Sequence, residues 1–109
     1  MRASAAVAAP VFAALGDEVR LHLVARLCDE GPLSIARLCD DATITRQAIT
    51  KHLEALADAG VVRGSRQGRE RIWQLETKRL AEARRYLDQI STQWDAAIDR
   101  LRALVETND

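Results

Sequence analysis

A chain of 109 residues, 48% hydrophobic and 29% charged, can bury one modest core and is short for two. Sixteen basic residues balance sixteen acids, so no global field recruits a nucleic acid, and any such attraction must come from local clustering. Two cysteines suit a reducing cytoplasm better than a disulfide scaffold, and no apolar run approaches the length of a membrane span.

The chain opens with Arg2 and an alanine-rich run to Leu15 that loosely resembles a secretory leader. Alanine makes a weak leader core and Pro10 interrupts the run, so the segment reads as a native helix with a frayed start. Residues 9–15 form its helical part, with Pro10 in the first turn and Gly16 as the stop. Asp17 then caps a second helix that runs to about Asp29. Leu21, Leu23, Val24, Leu27 and Cys28 form its apolar arc, with His22, Arg26 and Asp29 opposite. Gly31-Pro32 breaks it.

A third helix runs from Ser34, as N-cap, to about Asp41, with Leu33 and Leu38 as a hydrophobic staple and Ile35, Leu38 and Cys39 buried. Ala42-Thr43-Ile44 is too short a connection for anything but a steep turn into the next helix. That helix occupies about 45–59. Thr45 is its N-cap, Ile44 and Ile49 have staple spacing, and Gly60 suits the left-handed position that ends many helices. Ala48, Ile49, His52, Leu53, Leu56 and Ala57 share an inner arc, while Arg46, Gln47, Thr50, Lys51, Glu54 and Asp58 share the outer one. Two short helices with such a turn, the second polar outward, make a helix-turn-helix, and Arg, Gln, Lys and Thr are groups that reach base edges and phosphates.

After Gly60 the period changes from 3.6 to 2. Residues 61–66 and 69–75 flank Gln67-Gly68 as a β-hairpin, with Trp73 and Leu75 on one strand face and Ile72 and Gln74 on the other. Arg63, Arg66, Arg69 and Arg71 stud this wing (about 61–75), and Glu70 is the acid among them. Residues 43–73 hold six basic residues against three acids, so the local excess lies on the fourth helix and the hairpin. A helix-turn-helix followed directly by an Arg-rich hairpin is a winged helix.

The remaining residues, free of Gly and Pro, form one helix over about 77–106. Leu80, Ala83, Leu87, Ile90, Trp94, Ala97, Leu101 and Leu104 follow a 3-4 heptad seam, widened by Tyr86, Ile98 and Val105. A helix of this length spans roughly 45 Å, more than the rest of the domain can cover. The seam therefore predicts a homodimer that uses the last helix and the first, with Leu80, Leu87, Ile90, Trp94, Leu101 and Leu104 at the interface.

Three stretches in order resemble the ArsR/SmtB family of bacterial winged-helix repressors. Phe12-Ala-Ala-Leu-Gly-Asp-Glu-Val-Arg-Leu-His-Leu-Val is similar to the family's "aLgdptRl.IL", Leu53-Glu-Ala-Leu-Ala-Asp-Ala-Gly-Val-Val to "HL..L..aGlv", and Gln67-Gly-Arg-Glu-Arg-Ile-Trp-Gln-Leu to the wing "..GR...Y.L". The resemblance implies an α-α-α-α-β-β-α winged helix-turn-helix, mainly α with a small β-hairpin, that dimerises through its terminal helices and leaves an operator on a signal. The metal-sensing motif "ELCVCDL" is absent: Ser34 and Ala36 stand where its cysteines would be, and Arg37 replaces the acid. No histidine follows His52, so the ligand set that other members carry on the last helix is missing too. No metal and no cofactor are expected.

No nucleophile–base pair, phosphate loop or ligand cluster supports an enzyme. The sequence predicts a cytoplasmic, homodimeric regulator that binds double-stranded DNA, with no membrane association and an unspecified inducer. Thr45, Arg46, Gln47, Thr50 and Lys51 would meet the major groove, and Arg66, Arg69 and Arg71 the flanking backbone or minor groove. Two alternatives stand beside it. One is a winged-helix protein-interaction module without DNA. The other is a thiol- or metal-responsive repressor using Cys28 and Cys39, which end successive helices; against it, both lie on apolar arcs where cysteine is usually a small core hydrophobe.

Overall fold

The computed structural model describes residues 4–107; Arg2, the basic residue of the leader-like start, lies outside them. The elements are α1 (Ala5–Leu15), α2 (Glu18–Glu30), β1 (Leu33–Ser34), α3 (Ile35–Cys39), α4 (Arg46–Asp58), β2 (Val62–Gln67), β3 (Glu70–Leu75) and α5 (Thr77–Thr107). Four helix starts carry side-chain caps in extended backbone. Ser4 Oγ accepts from Ala6 N–H, Asp17 Oδ1 from Arg20 N–H, Ser34 Oγ from Arg37 N–H and Thr45 Oγ1 from Ala48 N–H.

Several expectations change in detail. The first helix starts at Ala5 rather than residue 9, so Pro10 lies inside it instead of in its first turn. Helix-favouring Ala8 and Ala9 precede the proline, and Pro10 itself is exposed, where water can reach the carbonyl that loses its partner. α3 is shorter than expected and ends at Cys39. Leu21 and Cys28, both assigned to the buried arc of α2, are exposed: α2 buries only the narrower stripe of Leu23 and Leu27.

The hairpin also gains a third strand. β1 pairs antiparallel with β3, Leu33 against Trp73 and Ser34 against Ile72, giving the sheet order β1-β3-β2. The cap explains it, because an N-cap residue must be extended (Ser34 φ −72°, ψ 158°), and extended residues beside an open strand edge complete its ladder. The hairpin turn sits one residue later than expected. Gln67 pairs with Glu70, leaving Gly68-Arg69 as the two-residue turn.

The core lies where α1, α2, α3 and α4 meet the sheet. Val11, Leu27, Leu38, Leu53, Leu56, Val61 and Trp73 are all essentially inaccessible there. Each such large aliphatic contributes about 2–3 kcal/mol by leaving water. α1 packs along the first part of α5, where Ala83 is buried and the Phe12 and Tyr86 rings stand 6.4 Å apart. Beyond that point α5 runs free, and the molecule measures 70 × 31 × 21 Å.

Candidate nucleic-acid interface

α4 is held from behind. His52, on its inner side, has Nδ1 3.3 Å from an Arg20 guanidinium N–H and 4.0 Å from Asp17 Oδ1. To accept from Arg20, the imidazole must carry its proton on Nε2. Arg20 Nε also donates to the Ala14 carbonyl at 2.6 Å, so one side chain ties the end of α1 and the start of α2 to the middle of α4. The Arg20 backbone N–H, bonded to Asp17, holds that carboxyl below its ordinary range, and the charge of the Arg20 guanidinium adds to the effect.

The outer side of α4 is open. Arg46, Gln47, Thr50, Lys51 and Glu54 together line one shallow concavity. Thr50 Oγ1 donates to the Arg46 carbonyl at 2.9 Å, which spends its proton on the backbone and leaves its methyl and lone pairs outward. Thr45 is exposed at the head of this face, its hydroxyl oxygen occupied as the cap. Among the described residues, Arg46, Gln47, Lys51 and Glu54 have no side-chain hydrogen bond or ion pair. The sequence pattern marks Glu54 only as an acid of the outer arc. Its spacing was the available signal, since it stands four residues after Thr50 and seven after Gln47.

The wing sorts its arginines by strand face. Gly68 has φ 64° while Arg69 has a negative φ, so the Gly68-Arg69 turn is of the II′ kind that fits the twist of a hairpin. Arg63 pairs with Glu76 at 3.7 Å, and the Gln74 amide, with its oxygen turned inward, accepts from it across the ladder. Arg71 lies on the opposite face with its guanidinium 4.6 Å above the Trp73 ring, a cation–π stack. Trp73 Nε1 is buried without a hydrogen-bond partner, so its packing rests on the ring. Arg66 faces Arg71 directly across the strands, and Arg69 caps the tip. Among the described residues neither the Arg66 nor the Arg69 side chain has a hydrogen bond or ion pair.

α5 carries a continuous apolar stripe on its free part. Leu87, Ile90, Trp94, Leu101 and Leu104 are exposed, Trp94 by 67% and Leu101 by 62%, and Ile98 and Val105 lie beside them. Leu80 departs from this set: it packs against the core of its own chain, because the first turn of α5 lies on the domain.

Cys28 is exposed and Cys39 half-buried, both as free thiols. A depression of about 500 Å³ between α2 and the 40–44 turn includes Glu18, His22 and Asp41, but no three His, Cys, Asp or Glu groups among the described residues form a metal-binding set. No helix among those residues is long and apolar enough to cross a membrane.

Comparison with known proteins gives a consistent picture. Residues 15–65 match the family described as a helix-turn-helix domain. The chain is 33% identical over 94 residues to the HTH-type transcriptional regulator Rv2034 of Mycobacterium tuberculosis, covering 86% of this chain and 84% of that one. It is 27% identical over 95 residues to the arsenical resistance operon repressor of Escherichia coli, covering 87% and 79%. Among solved structures, an ArsR-like transcriptional regulator from Rhodococcus sp. RHA1 superposes with a TM-score of 0.78 at 33% identity, over 91% of this chain and 92% of that one.

Proposed function

From the premise that this chain belongs to the ArsR/SmtB family of winged helix-turn-helix transcriptional regulators, we propose that it is a homodimeric repressor of an inverted-repeat operator in double-stranded DNA. One observation carries the reading. The open face of α4 and the tip of the wing offer Arg46, Lys51, Arg66 and Arg69 with no partner among the described residues, beside Gln47 and Thr50. Cations left unpaired on a chain of zero net charge are available to phosphates.

In this mechanism the first turns of α4 enter the major groove. Gln47 and Thr50 meet base edges there, while Arg46 and Lys51 reach bases or phosphates and Thr45 lies at the entry. Arg66 and Arg69 follow the flanking backbone or minor groove and position the protein without specifying sequence. Arg71 adds its charge from the top of Trp73. The E. coli relative's name supports repression as the outcome.

Dimerisation is argued from the apolar stripe of α5, which a single chain leaves in water. Residues 77–87 hold four basic side chains and one acid, whereas 88–107 hold four acids and two basic side chains. Two copies of α5 crossing antiparallel would set these unlike halves against each other. Two reading heads related by a two-fold axis call for half-sites about one helical turn, roughly 34 Å, apart.

Fluorescence anisotropy with the DNA upstream of the chain's own gene tests the reading. Arg69→Ala should weaken binding to every sequence and lower the salt slope by about one unit per half-site. Gln47→Ala should change preference among sequences. Absence of binding by the wild type, or a salt slope untouched by Arg69→Ala and Lys51→Ala together, would refute this mode of DNA contact.

A further inference from the structure

Glu54 is a carboxylate in the middle of a surface otherwise suited to a polyanion. Around α4 its direction falls between those of Thr50 and Gln47, and it shares their concavity with Arg46 and Lys51. Lys51, three residues earlier, could pair with it, yet no such pair forms, and Glu54 has no partner among the described residues. Gln47, Thr50, Lys51 and Glu54 have the i, i+3, i+4, i+7 spacing with which a homeodomain's third helix reads base edges. A carboxylate so placed weakens binding by repelling phosphates unless the groove offers it a hydrogen-bond donor.

We propose that Glu54 determines specificity by selecting a cytosine in each half-site, a reading that rests on the DNA-binding function above. Base-edge chemistry dictates the choice. In the major groove cytosine presents the N4 amino group, a donor, without an adjacent acceptor on the same base. Guanine presents two acceptors, N7 and O6, and thymine an acceptor and a methyl group; both oppose a carboxylate. Adenine presents its N6 donor beside the N7 acceptor, so one carboxylate oxygen would gain a bond while the other met a lone pair. The Thr50 hydroxyl, its proton held by the Arg46 carbonyl, does not compete as a donor to Glu54.

The test is selection from a pool of randomised DNA duplexes by the full chain as wild type, Glu54→Ala and Glu54→Gln. Circular dichroism checks each fold, and the side chain's exposure and lack of partners leave the fold independent of it. The wild type should enrich cytosine at one position per half-site. Glu54→Ala should become indifferent at that position alone, losing roughly ten- to hundredfold discrimination, and Glu54→Gln should move the preference to adenine. Selected sites identical for all three proteins would overturn the proposal. So would a uniform rise in affinity in both variants with preferences unchanged, which is the signature of a merely repulsive acid. A wild type that enriches no sequence would defeat the DNA-binding function itself and this inference with it, whereas an operator indifferent to residue 54 would defeat the inference alone.

Discussion

Gly64 stands directly across the β2–β3 ladder from Trp73, and a Cβ built on it would come 3.1 Å from the indole ring and 3.0 Å from Arg71 Nε. Its backbone φ is ordinary, so clearance rather than conformation requires the glycine. Trp73 is 1% exposed and has no room to retreat. Gly64→Ala should therefore cost about 1–3 kcal/mol through overpacking. Thermal unfolding should show a lower Tm by several degrees for each kcal/mol lost, and an unchanged Tm would mean that the sheet opens freely at this point.

Arg20 links three helices through the Ala14 carbonyl and His52. Arg20→Met keeps much of the apolar stem but leaves both acceptors without this donor. It should lower stability by about 1–2 kcal/mol and speed hydrogen exchange in the middle of α4. His52→Ala leaves the Ala14 bond intact and should cost less of the exchange protection at the α1–α2 junction. Equal loss at that junction in the two variants would argue against Arg20 as the link.

The pH dependence of stability should carry the Asp17 cap. Its folded carboxyl lies below the ordinary value of 3.8, first because the Arg20 backbone N–H bonds the charged form. A depressed carboxyl contributes stability that is present above its unfolded value and lost as pH falls through the folded one. Asp17→Ala should therefore lower the Tm at pH 7, and the gap to wild type should narrow below about pH 4. A gap that stayed constant down to pH 2 would show that the charge is irrelevant to the cap.

The proposed dimer has its own test at Trp94, which is 67% exposed in the single chain. Trp94→Glu should give monomers in sedimentation equilibrium while helix content remains close to that of the wild type. The wild type's Tm should rise with protein concentration and the variant's should not. A variant that remained dimeric would move the interface away from the free part of α5.

The sequence by itself determined what depends on near neighbours. Asp17, Ser34 and Thr45 cap their helices as expected, because a cap bond spans three residues and needs only local chain geometry. Gly60 adopts φ 78° after α4, and the 3.6-residue period correctly divided α4 into the Ile49–Leu53–Leu56 side and the Arg46–Gln47–Lys51 side. Tertiary structure decided what depends on partners distant in sequence. Leu33-Ser34 became a strand only because the edge of β3, some forty residues later, lay beside them. Leu21 and Cys28 proved exposed because the apolar arc of α2 is wider than the surface it packs on, a width set by other elements. The wing arginines looked alike in sequence. Strand pairing alone separated Arg63, tied to Glu76 and Gln74, and Arg71, stacked on Trp73, from Arg66 and Arg69, whose charges the fold leaves open.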